Sequence, residues 1–193
     1  VTDIDIEKIV ESVVASITAK TQGEELDLSP DTVTREVSLN QKDDVRHVAL
    51  GVGSPAADGG TAVRTYLESL GYHVVNVTAG PGQDCVDIAA GVAKKVAGGE
   101  CERGIVMDAD GIASSIVCNK VKGIRAALCY DMRSTVNSRE HFNANVMTVG
   151  GPFHNNAELC EMARTWLELR FSDGRRWATI NKVMATEKSS PVT

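Results

Sequence analysis

From residue 45 onward, short apolar runs rich in β-branched residues alternate with amphipathic stretches of helical length, and few folds are open to a chain written this way. The runs fall at 47–53, 72–77, 104–108, 125–129 and 146–149. Each has the length of a buried strand rather than of a helix. The stretches between them, at 60–70, 85–97, 112–120, 134–141 and 157–169, carry apolar residues at helical spacing, with Gly71 and Gly98 as stops. Strand and helix in alternation spell a five-stranded parallel sheet covered on both faces. A last helix is expected at 177–186, after the turn Ser172-Asp173-Gly174. The sheet is complete without it, so this helix is free to reach a partner.

Residues 2–20 stand apart from that pattern. Ile6, Ile9, Val10, Val13 and Ile17 fall at i, i+3, i+4, i+7 and i+11 and make one apolar stripe, with Asp3 or Asp5 placed to cap the helix. From 21 to 44 the chain is polar, holds Gly23 and Pro30 and has few large apolar residues, as a linker does. The expected organisation is therefore an amphipathic helix at 1–20, a linker at 21–44 and one domain at 45–193. The stripe suits packing on its own domain, on a dimer mate or on a larger assembly.

Composition excludes several classes. With 193 residues, 42% of them hydrophobic and 24% charged, the chain supports a sizeable core and is not disordered throughout. A net charge of −6 argues against binding nucleic acid or an anionic membrane by bulk charge, so any anion site must be built locally. The five cysteines, Cys85, Cys101, Cys118, Cys129 and Cys160, form no CxxC pair, which speaks against a zinc or redox motif and for a reducing cytosol. No apolar run approaches the roughly 18 residues of a membrane span and no secretion signal is visible, so a cytoplasmic protein is expected.

Right-handed crossovers put every loop that follows a strand on one edge of the sheet, where such folds bind ligands. Four loops qualify, at 51–60, 79–84, 108–115 and 130–134. In the third, Asp108-Ala109-Asp110-Gly111-Ile112-Ala113 leads into a helix, and its small residues let backbone N–H groups approach an anion. The same residues also read as an ordinary strand-to-helix turn with an Asp cap. The glycine-rich loop at 79–84 suits a small ligand, but no GxGxxG or Walker sequence follows the first strand, and no cofactor is expected. His47, His73 and His154 lack ligand spacing, and no metal is expected. Cys118 and Cys129 read as core fillers and Trp166 and Trp177 as packing residues; the acidic neighbours Asp84 and Asp87 disfavour Cys85 as a nucleophile, and it stays in view as a substitute base only because it opens a helix near the pocket.

Residues 104–150 hold Asn119-Lys120-Val121, Gly123-Ile124-Arg125-Ala126-Ala127-Leu128, Arg139-Glu140-His141 and Asn145-Val146 in one register. This stretch resembles the core of the ribose-5-phosphate isomerase type B and galactose-6-phosphate isomerase family. A weaker likeness extends from about Val48 to Val183, and residues 1–44 lie outside it. The loop opening Asp108-Ala109 is most similar to the A subunit of the heteromeric galactose-6-phosphate enzyme. The resemblance implies a Rossmann-like three-layer α/β sandwich, at least a dimer, that interconverts aldose and ketose sugar phosphates. It implies a homodimer or homotetramer or a sister isomerase subunit, with active sites shared between subunits. By that carry-over His141 opens the sugar ring in a neighbouring subunit's pocket, Arg175 contacts phosphate, and Ser54 and the backbone of Gly111, Ile112 and Ala113 line the site. The N-terminal extension in turn resembles the encapsulation peptides that direct cargo to the shell proteins of bacterial microcompartments.

The departures from the family pattern fall at its chemical centre. Asp108 stands where the ribose enzymes carry a catalytic Cys, and Asp110 where they have a Thr that holds the intermediate. The first loop, Gly51 to Gly60, lacks the family's Ser-Asp-His-Ala-Gly; Phe142 replaces an Asn, and Thr179 a second phosphate-binding Arg. Three readings stay open. Asp108 is the enolising base of an active isomerase, since a desolvated carboxylate can abstract a proton next to a carbonyl. Alternatively the chain completes a Cys-bearing sister subunit, or it binds a sugar phosphate without turning it over.

Overall fold

The computed structural model describes residues 45–78, 80, 84–171 and 176–188. The amphipathic helix and linker expected at 1–44 lie outside the described residues, as does Arg175. Five parallel strands are present: β1 (His47–Val52), β2 (His73–Val77), β3 (Arg103–Asp108), β4 (Ala126–Leu128) and β5 (Val146–Gly150). They lie in the order β2-β1-β3-β5-β4. The helices are α1 (Ala57–Ser69), α2 (Cys85–Ala97), α3 (Ile112–Cys118), α4 (Met132–Glu140), α5 (Asn156–Glu168) and α6 (Trp177–Ala185). This is the expected three-layer, Rossmann-like sandwich.

The strand pleat sorts the core into two faces. Val48, Leu50, Ile105, Met107, Met147 and Val149 point to the side covered by α1 and α5, where Trp166 and Leu167 are fully buried. Ala49, Val106 and Val146 point the other way, onto Ala89, Val92, Ala93 and Cys118 of α2 and α3. Glycines set how closely that second layer sits. A Cβ on Gly51 would lie 2.6 Å from Ile88 Cγ2 and 2.7 Å from Val92 Cγ2.

Several boundaries differ from the sequence reading for identifiable reasons. Helix α1 starts at Ala57 rather than at 60, because Gly59 and Gly60 are contact points and not a turn. A Cβ on Gly60 would meet Val52 Cγ1 at 2.5 Å, and one on Gly59 would meet Leu159 Cδ1 at 2.7 Å. Helix α4 starts at Met132 rather than at 134, since Asp131 caps it in a reciprocal box with Ser134. Helix α3 ends at Cys118 because Asn119 turns to the sheet, donating to Ala126 O and accepting from Ala126 N, both at 2.9 Å. That exchange leaves β4 three residues long.

Strand order decides which loops meet. The chain passes from β1 to β2 on one side and from β2 crosses back past β1 to β3 on the other, so a crevice opens between the carboxyl ends of β1 and β3. From β3 it runs to the edge strand β4 and returns to fill the gap with β5. The loop after β4 is thereby displaced by a full strand from the crevice.

Candidate active site

A cavity of about 560 Å³ occupies the crevice, lined by Val52, Gly53, Ser54 and Pro55 after β1, by Thr78, Asp84, Cys85 and Ile88 around the start of α2, and by Asp108, Ala109, Asp110 and Ala113 after β3. Residues of the loops at 51–60 and 108–115 therefore converge, together with Asp84 from the end of the 79–84 loop. The fourth, at 130–134, lines a different cavity of about 640 Å³ with Asn119, Phe142 and Ile180.

The β1 and β3 loops are joined at the cavity floor. Gly53 N donates to Met107 O at 2.7 Å, and a Cβ on Gly53 would come 3.4 Å from Asp108 Cβ. Asp108 is the last residue of β3 and only 4% exposed. Its carboxylate accepts from the amides of Asp110, at 3.1 Å, and Gly111 through Oδ1, and from the hydroxyl of Ser114 through Oδ2. Gly111 has φ +75°, and a Cβ there would lie 2.6 Å from Leu128 Cδ1 and 3.0 Å from Val149 N, so both backbone and space require glycine. Asp110 is exposed and accepts from Ile112 N at 2.8 Å at the start of α3. The amides of Gly111 and Ile112, expected as donors to an anion, are thus engaged by the chain's own carboxylates.

Charge at this end is one-sided. Asp84, Asp108 and Asp110 line the cavity, and no Lys, Arg or His among the described residues does. Two carboxylates about 5 Å apart repel by roughly 3 kcal/mol at an effective dielectric of ~20, so an anionic ligand needs a cation brought from elsewhere. Behind the turn, Cys118 is fully buried, and burial together with the Asp108 charge pushes its thiol up to about 12. It is a neutral thiol at physiological pH. Cys85 is the cysteine that faces the cavity, at the first position of α2, where Asp84 caps the helix in a reciprocal box with Asp87.

The remaining expected residues are dispersed. Ser54 and Ala113 line the cavity beside Asp108 and Asp110, with Gly111 beneath them and Ile112 largely exposed. His141 caps the carboxyl end of α4, half-buried with its ring against Phe142 at 6.4 Å, and does not line this cavity within its own chain. His47 and His73, set aside in the sequence, pair across β1 and β2 with ring centroids 5.1 Å apart. Among the described residues no group of three or more His, Cys, Asp or Glu is placed to hold a metal ion. Ser114 was not legible as a site residue. The available signal was a hydroxyl in the first turn of a helix that follows a strand-end Asp and a left-handed Gly.

Fold and cavity together define a doubly wound α/β protein whose pocket, with three aspartates among its lining residues, lies at the switch point between β1 and β3. The family model described as Ribose/Galactose Isomerase matches residues 48–183, and the chain belongs to that family of sugar-phosphate isomerases. The chain is 32% identical over 139 residues to the D-erythrulose-4-phosphate isomerase of Pectobacterium atrosepticum, covering 70% of this chain and 91% of that one. It is 35% identical over 113 residues to the galactose-6-phosphate isomerase subunit LacA of Staphylococcus epidermidis, covering 58% and 80%. Among solved structures, ribose-5-phosphate isomerase B of Clostridium thermocellum superimposes with a TM-score of 0.70 at 33% identity, over 74% of this chain and 97% of that one. The Mycoplasma genitalium enzyme with bound ribulose-5-phosphate gives a TM-score of 0.69 at 25% identity, over 75% and 97%.

Proposed function

We propose that the chain is an aldose–ketose isomerase of a phosphorylated sugar, working through an enediolate at the crevice between β1 and β3. The observation that carries this reading is the buried carboxylate of Asp108 at the floor of a cavity of about 560 Å³, in a chain of this family. Isomerisation needs a base beside the carbon next to the carbonyl, a donor set for the developing oxyanion and a cation for the phosphate. Asp108 is assigned as the base. Asp110, the exposed one of the two carboxylates, releases the Ile112 amide to the enediolate oxygen when its side chain rotates outward. Ser54 and the Ala113 backbone border the sugar.

The acidic lining supports a further part of the reading. The phosphate is assigned to two groups that the family resemblance supplies, Arg175 and His141 of a second copy of the chain, whose imidazole also opens the ring. A homodimer is the least assembly that provides this, and a sister isomerase subunit satisfies it equally. The stripe at 2–20 is assigned to docking on a microcompartment shell; deleting residues 1–44 then abolishes shell association and leaves the isomerase intact.

The deciding experiment follows the proton. The purified chain is incubated in D₂O with a phosphorylated tetrose, pentose and hexose in turn, and deuterium at C2 is read by NMR. Exchange with one of them is expected, and Asp108→Asn lowers its rate by roughly 10²–10⁴-fold. Tight binding without exchange would leave the non-catalytic or half-site reading in its place.

A further inference from the structure

Asp108 is held by three donors, and they differ in kind. The amides of Asp110 and Gly111 reach Oδ1 because the backbone turns there, so any acceptor at position 108 would receive them. The Ser114 hydroxyl is the one side-chain donor that the described residues bring to this carboxylate, and it goes to the other oxygen, Oδ2. Ser114 is 1% exposed and sits on the first turn of α3, with its Cα fixed by the helix. A carboxylate anchored only through Oδ1 could turn about its terminal torsion, which is broad for Asp. Fastening Oδ2 from a second direction fixes the carboxylate plane, and with it the lone pair that is presented to the cavity.

We propose that Ser114 is a positioning residue for isomerisation: its hydroxyl orients the Asp108 carboxylate for proton abstraction without touching the sugar. This rests on the assignment of Asp108 as the base. Abstraction from a carbon acid needs the oxygen lone pair aimed along the C–H bond, and a misplacement of the order of 1 Å at a reacting group costs about 10²-fold in rate. The hydroxyl is suited to the task because a carboxyl oxygen keeps a free lone pair when the group is protonated toward the sugar, so Ser114 goes on donating to Oδ2 on either side of the proton transfer. No proton leaves the Asp108–sugar pair through it. The proton taken from C2 resides on Asp108, where it exchanges with solvent in a fraction of turnovers before a proton is returned to C1; the proton lost from the C2 hydroxyl balances the one gained at O1, and Ser114 ends each cycle unchanged.

The test compares Ser114→Ala, Ser114→Thr and Asp108→Asn in the full chain, using C2 deuterium exchange, steady-state kinetics and thermal unfolding. Ser114→Ala is expected to lower kcat by about 10- to 100-fold with KM within about twofold, because the loss is in alignment and not in sugar contacts. Ser114→Thr restores most of kcat, since the hydroxyl returns. A Ser114→Ala enzyme with unchanged kcat and an inactive Asp108→Asn would overturn the positioning role and leave the base assignment standing. An Asp108→Asn enzyme of full activity, or a wild-type chain that exchanges no proton with any of the three sugars, would overturn both. Failure of Thr to rescue an inactive but folded Ala variant would also overturn the proposal, by showing that the hydroxyl is not what matters.

Discussion

At the scale of single residues, the floor of the cavity is more constrained than its walls. Gly111→Ala puts a Cβ where Leu128 and the Val149 backbone already stand, on a backbone at φ +75°. The strain alone costs of the order of 1–3 kcal/mol, and the clash adds to it, so urea denaturation should show a loss of about 2 kcal/mol or more. The same change tilts the turn that carries Asp108, and activity should fall further than stability accounts for. The buried thiols make a separate prediction about alkali. Burial pushes Cys118 up to about 12 and Cys129 up to about 11 from an ordinary 9.0. Between pH 9 and those values the unfolded chain has lost protons that the folded chain retains, so stability falls as pH rises through that window. Denaturation at pH 8 and pH 10.5 checks the sign. Cys118→Ala with Cys129→Ala should weaken the dependence, leaving the part due to Cys101 and Cys160, whose thiols burial also pushes up.

At the scale of elements, α2 carries Cys85 and Ile88 to the cavity wall and is seated on β1 by the absence of a side chain at Gly51. Gly51→Ala drives a methyl into Ile88 and Val92 and should cost about 1–3 kcal/mol in thermal unfolding, as overpacking does. The displaced helix moves the wall, so KM rises with it. The elements were also what the sequence disclosed best. Period and apolar run placed the five strands and six α-helices found among the described residues to within a few positions, because burial on both faces writes itself as continuous apolar runs. The misplaced ends have local causes: paired glycines used for close packing at Gly59 and Gly60, and an Asp–Ser cap at Asp131. The site was only partly legible. The loops that hold Asp108 and Asp110 follow from the rule about strand ends and Ser54 from the family resemblance, whereas the exclusion of the 130–134 loop follows from β5 lying between β3 and β4, a pairing that no local pattern encodes. Ser114 was missed because its partner lies six positions away on another element.

At the scale of the whole molecule, the acidic cavity and the distant His141 set up a complementation experiment. If each site joins Asp108 of one copy to His141 of another, then Asp108→Ala and His141→Ala are both inactive alone. Mixed and allowed to exchange subunits, they regain activity. Random pairing makes half the dimers mixed, each with one intact site out of two, so the mixture should reach about a quarter of the wild-type rate in a twofold-symmetric dimer. No recovery after verified exchange, by mass spectrometry of the mixed species, would show that both residues act within one chain. None of the helices among the described residues is long and apolar enough to cross a membrane.

The setting of Trp166 supplies an optical handle for all of this. Its indole is fully buried, lies 5.7 Å from the guanidinium carbons of both Arg103 and Arg139, and donates to Ser138 Oγ at 3.0 Å. Trp177 is about half exposed and packs edge-on against Phe171 at 5.1 Å. Two fluorophores in such unlike surroundings emit at separable wavelengths, the enclosed one to the blue. Quenching by iodide then reports on the carboxyl-terminal helix alone, while the blue band follows the sandwich as a whole, and one cuvette distinguishes release of a helix from collapse of the fold.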